Sequence, residues 1–76
     1  MNEALECILE SLVDNKEAIS VNLIEKDKLT VLEAKVAEED MGKVIGKDGK
    51  NAKAIRTILR AIGNKEHKKV TVEFID

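Results

Sequence analysis

Between Met41 and Ile62 the apolar residues keep helical spacing on both sides of one break, and the break contains two glycines three positions apart, Gly46 and Gly49. This feature constrains the chain most: a continuous rod is excluded, and two helices must meet at a tight turn. Asp40 reads as the cap of a short helix from Met41 to Ile45, which Gly46 ends by taking a left-handed conformation. Lys47-Asp48-Gly49 then turns the chain. Lys50 to Ile62 forms the second helix, with Ala52, Ile55, Leu59 and Ile62 on one face and Gly63-Asn64 as its stop.

The flanking segments fill out the order. Asn2 to Val13 places Leu5, Ile8, Leu9 and Leu12 on one helical face and Glu3, Glu6, Glu10 and Asp14 elsewhere. Ile19, Val21 and Leu23 alternate with polar residues, and Leu29 to Ala37 is again rich in Val and Leu, so the two read as strands of a hairpin around the polar stretch from Glu25 to Lys28. Val70, Val72 and Phe74 alternate in a last strand. The predicted order is αββααβ: an α+β domain with helices on one face of a three-stranded sheet, whose strand order the pattern leaves open. With 76 residues, no Pro, no repeat and no linker, residues 1–76 form one domain.

Composition removes several function classes. Phe74 is the only aromatic residue, which excludes a reader of nucleic acid built on aromatic stacking platforms. Cys7 has no partner for a disulfide or a tetrahedral metal site, so no metal and no cofactor are expected, and the residue reads as packing at the margin of the first helix. His67, beside Glu66 in a Lys-rich loop, reads as a solvated loop residue rather than a general base. No P-loop is present: Gly42 and Gly46 have three residues between them rather than four, and Asp48 follows Lys47 where Mg²⁺ binding needs Ser or Thr. The dinucleotide fingerprint fails for want of its close glycine pair and its preceding strand. Catalysis is therefore not expected. No apolar run reaches membrane-spanning length and Glu3 and Glu6 stand where a signal peptide carries positive charge, so the expected compartment is the reducing cytoplasm.

The net charge of -2 conceals a division. Residues 1–40 carry a net of -7 and residues 41–76 a net of +5, and from Lys43 to Arg60 there are six basic residues against one acid, Asp48. Around the two glycines this matters chemically. Neither has a Cβ to keep a sugar-phosphate chain at a distance, and the N–H groups and dipole of the following helix favour an anion at the same turn. Lys47 and Lys50 add charge there, while Lys53, Arg56 and Arg60 share an arc of about 60° on that helix, away from its apolar face. A bare glycine pair serves equally as a plain connection between helices, and a basic stripe as a solvated face. What favours the functional reading is that the pair, the stripe and the αββααβ order occur together.

The run Val44-Ile45-Gly46-Lys47-Asp48-Gly49 resembles the signature of the K-homology (KH) RNA-binding domain, and the element order resembles its type II, prokaryotic form. Gly42 to Gly46, Ala52 to Thr57 and Lys68-Lys69-Val70 further resemble the small bacterial single-KH proteins of the KhpA (YlqC-like) family. The resemblance spans the whole chain; its specific part runs from Gly42 to Thr57. Ala52 stands where many KH domains carry a larger aliphatic residue but suits the narrower family, and Asp48 softens phosphate attraction. The resemblance implies a cytoplasmic RNA-binding protein, often a homodimer, that also pairs with a larger KH protein of the Jag/KhpB type and influences RNA fate, cell-envelope growth and cell shape.

The expected mechanism is a clamp on single-stranded RNA, without catalysis. Gly46 to Gly49 would hold about four nucleotides of backbone. Lys47, Lys50, Lys53 and Arg56 would contact phosphates, Asp48 lies in the variable pair, and Ile45 would floor the groove for the bases. Lys65, Lys68 and Lys69 are placed to close its far side. A post-transcriptional regulator or RNA chaperone is the role that fits. The competing class is an interaction module whose main task is dimerisation, through Ile58 at the edge of the second helix's apolar face, with RNA contact secondary.

Overall fold

The computed structural model describes residues 1–75 and has the αββααβ order. Helix α1 spans Asn2–Leu12, strands β1 and β2 span Ser20–Lys26 and Leu29–Lys35, helices α2 and α3 span Met41–Ile45 and Lys50–Lys65, and β3 spans Lys69–Ile75. Within the sheet the order is β1-β2-β3. β1 and β2 are antiparallel, joined by Asp27 and Lys28, with Asp27 at φ 47°. β2 and β3 are parallel. A parallel pair cannot be closed by a tight hairpin and needs a crossover, and α2 with α3 supplies it.

Alternation along the strands decides which face is covered. Thr30, Leu32 and Ala34 of β2 and Val70 and Val72 of β3 are buried under the helices, whereas Leu29, Lys35, Lys69, Thr71, Glu73 and Ile75 are exposed. α1 lies over β1 and α3 over β3. The core between the layers is aliphatic: Leu5, Leu9, Leu32, Leu59 and Val44 are all fully buried, each worth about 1.5–3 kcal/mol relative to exposure. Phe74 packs only at its margin.

Two expectations are corrected here. α3 does not stop at Gly63-Asn64 but runs on to Lys65, because Gly63 is a packing residue: a Cβ there would lie 2.4 Å from Val70 Cγ2 and 2.9 Å from the Lys68 carbonyl. The stop is His67, in the left-handed region at φ 59°. Its N–H donates to the Asn64 carbonyl at 3.1 Å and that of Lys68 to the Gly63 carbonyl at 2.8 Å, the paired bonds of a Schellman ending. Cys7 is exposed rather than packed. Among the described residues no helix is long and apolar enough to cross a membrane.

Candidate nucleic-acid interface

The turn between α2 and α3 depends on three positive φ angles. Gly46 has φ 77° and ψ 170°, a region that only glycine occupies readily; Asp48 (φ 57°) and Gly49 (φ 75°) follow in the left-handed region. Gly46 is constrained twice. A Cβ at this position would stand 2.8 Å from Asn51 Cγ and 2.9 Å from Asn51 N. At Gly49 a Cβ would meet nothing within 4 Å, so its requirement is conformational alone.

Asn51 is the residue that sequence reasoning missed. Its Nδ2 donates to the Lys43 carbonyl at 2.8 Å, tying the last turn of α2 to the first turn of α3. The only signal in the sequence was an amide-bearing residue two positions after Gly49.

A second tie holds α2 from behind. Asp40 is 1% exposed and makes no side-chain bond to the start of α2, so its expected capping role is not observed. Its Oδ2 instead accepts the Asn15 N–H at 3.0 Å. That bond holds the Asp40 carboxyl below the usual carboxylate range, against the burial that would raise it. Lys43 Nζ bonds Asp14 and lies 3.7 Å from Asp40 Oδ1, and the hydrogen bond to Asp14 raises the Lys43 pKa. Lys43 thus belongs to this anchor rather than to the free positive charge around the turn.

The other site residues divide by exposure. Lys47, Asp48, Lys50 and Lys53 are exposed, Gly49 and Ile45 half-buried. Among the described residues none of Lys47, Lys50, Lys53 and Arg60 has an ion-pair partner. Arg56 is half-buried: its Nε donates to the Val72 carbonyl of edge strand β3 at 3.3 Å, and its guanidinium carbon lies 5.4 Å from the Phe74 ring centroid, within cation–π reach. It joins the basic flank of α3 to the sheet edge. Ile58 is 46% exposed and, by helical geometry, lies on the opposite flank of the buried stripe from Arg56.

Residues 2–74 match the family described as KhpA/KhpB, KH domain. The chain belongs to that family. It is 53% identical over 75 residues to the RNA-binding protein KhpA of Clostridium perfringens, covering 99% of this chain and 100% of that one. Identity to the protein of the same name from Borreliella burgdorferi is 43% over 74 residues, 97% of this chain and 90% of the relative. Among solved structures, Era in complex with MgGDPNP and nucleotides 1506–1542 of 16S ribosomal RNA superposes with a TM-score of 0.57 at 22% identity, covering 96% of this chain and 28% of Era. That likeness establishes the shared fold.

Proposed function

We propose that this protein binds single-stranded RNA through the Gly46–Gly49 turn and the basic flank of α3, without catalysing a reaction. One observation carries the reading: a turn fixed by Asn51 presents Lys47, Lys50 and Lys53, which have no ion-pair partners among the described residues, at the N-terminus of a 16-residue helix, where free N–H groups and the dipole favour phosphate. Clostridial and spirochaetal relatives named as RNA-binding proteins support it. Ile45 lines the floor, and Arg56 contributes the guanidinium donors not engaged with Val72. Without aromatic stacking, base selectivity is low, which suits a cytoplasmic RNA chaperone or post-transcriptional regulator with many targets. Titration with single-stranded and duplex RNA over a range of salt tests this. Three or four phosphate contacts give a slope of log affinity against log salt of about -2 to -3 for the single strand; a flat response refutes it.

A second reading is favoured by the exposure of Ile58 between Ala54 and Ala61, both also exposed. This apolar strip fits a helix face used for homodimerisation or for pairing with a larger KH protein of the Jag/KhpB type. Its position on the flank of α3 away from Arg56 lets both activities coexist. Sedimentation of wild type and Ile58→Asp decides it: self-association lost in a folded variant supports the interface, and a wild type monomeric at every concentration removes the homodimer.

A further inference from the structure

The end of α3 farthest from the Gly46–Gly49 turn carries a second basic surface, assembled from three separate segments. Arg60 and Asn64 come from the last turns of α3, Lys69 opens β3, and Lys28 closes the β1–β2 hairpin. The pairing of Leu29 with Lys69 and the bond from the Lys69 N–H to the Lys28 carbonyl at 3.3 Å hold the two lysines side by side. Two clefts of about 610 and 570 Å³ share Asn64 and Lys69 as a common wall. Leu29, Arg60, Val70 and Thr71 complete the first, and Lys28, His67 and Lys68 the second. Among the described residues no carboxylate lines either cleft. Nor are the cations spent in ion pairs. Lys68 is engaged by Glu25 at 3.6 Å, but Arg60, Lys69 and Lys28 have no such partner among the described residues. Three unneutralised cations, an amide and a hydroxyl around a concavity free of carboxylates suit a phosphodiester.

Position identifies the source of that phosphate. The 16 residues of α3 span about 24 Å, and Lys53, Arg56, Arg60 and Asn64 stay within an arc of about 80° along it. The cationic flank therefore leads from the turn directly into the clefts. A clamp for about four nucleotides occupies only the first part of that track. We propose that the RNA strand held at Gly46–Gly49 continues along α3 into the clefts at Arg60, Asn64, Lys69 and Lys28, so that the footprint exceeds four nucleotides. This rests on the RNA-binding reading of the turn and adds length and salt dependence, not base choice.

The test compares single-stranded oligonucleotides of about four and about eight nucleotides, titrated across salt concentrations. Slope is the readout, because a longer strand gains affinity merely by offering more registers, which leaves the slope unchanged. Wild type should show an eight-nucleotide slope steeper by about 1.4, two further contacts at roughly 0.7 each. The double variant Arg60→Gln/Lys69→Gln, both exposed positions, should bring that slope back to the four-nucleotide value. Lys47→Asp should instead weaken both lengths. Equal slopes in wild type, or a steep slope that survives the double substitution in a folded protein, overturns the extension while the turn keeps its function. Failure of wild type to bind either length overturns the RNA-binding reading and the extension together.

Discussion

The Asn51 side chain donates to the Lys43 carbonyl at 2.8 Å, and it passes through the space that a Gly46 Cβ would fill. Glycine at 46 and asparagine at 51 are thus one device: the amide can bridge α2 and α3 only because position 46 has no side chain. Lys43, whose carbonyl receives the bond, is held at its other end by Asp14 and Asp40. The turn that presents Lys47 is fixed on both sides.

Asn51→Ala removes the bridge without adding a clash. A net loss of about 1 kcal/mol in stability is expected from one hydrogen bond, together with RNA affinity lowered about fivefold. The backbone amide resonances of Gly46 and Gly49 should shift while those of β1 stay in place. Undiminished RNA binding by the folded variant would show that the turn does not need this tie.

The two glycines should differ in their tolerance of a methyl group. Gly49→Ala meets no neighbour within 4 Å and carries only the left-handed penalty of about 1–2 kcal/mol. Gly46→Ala adds a collision with Asn51, including its backbone nitrogen, worth about 1–3 kcal/mol more. Chemical denaturation measures both, and equal losses would contradict the paired role of Gly46 and Asn51.

Asp40 makes stability depend on acid. Its carboxyl is held below the unfolded value chiefly by the Asn15 N–H, so the stabilisation is fully present above a pH of about 4 and is lost as the pH falls through the lower folded pKa. Asp40→Asn should be less stable than wild type at neutral pH and show a shallower loss on acidification. Identical acid limbs in the two proteins would remove Asp40 from the anchor.

Much of this was legible in the sequence, and the parts that were not share a cause. Periodicity located all six principal elements, and the Gly46–Gly49 run marked the turn, because both are short-range signals. Asp40 was misread because an acid before a helix looks the same whether it caps that helix or is buried against Asn15, 25 positions earlier. Lys43 counted as free charge because its partner Asp14 lies 29 positions away. Gly63-Asn64 has the composition of a helix stop, but packing against Val70 sets the requirement at Gly63 and the left-handed residue is His67. Gly63→Ala should accordingly destabilise by about 1–3 kcal/mol through overpacking; a thermal midpoint equal to wild type would return Gly63 to the role of a simple stop.

The most direct test of the central claim is RNA titration of wild type and Lys47→Asp at one salt concentration, with circular dichroism on both. Lys47 is exposed, so stability should change by no more than about 0.5 kcal/mol, and the glycines keep the turn's shape. Exchanging an attractive charge for a second carboxylate beside Asp48 should weaken binding about tenfold, or 1–2 kcal/mol. Equal affinities in two folded proteins would contradict the clamp and leave the Ile58 face as the working surface of the molecule.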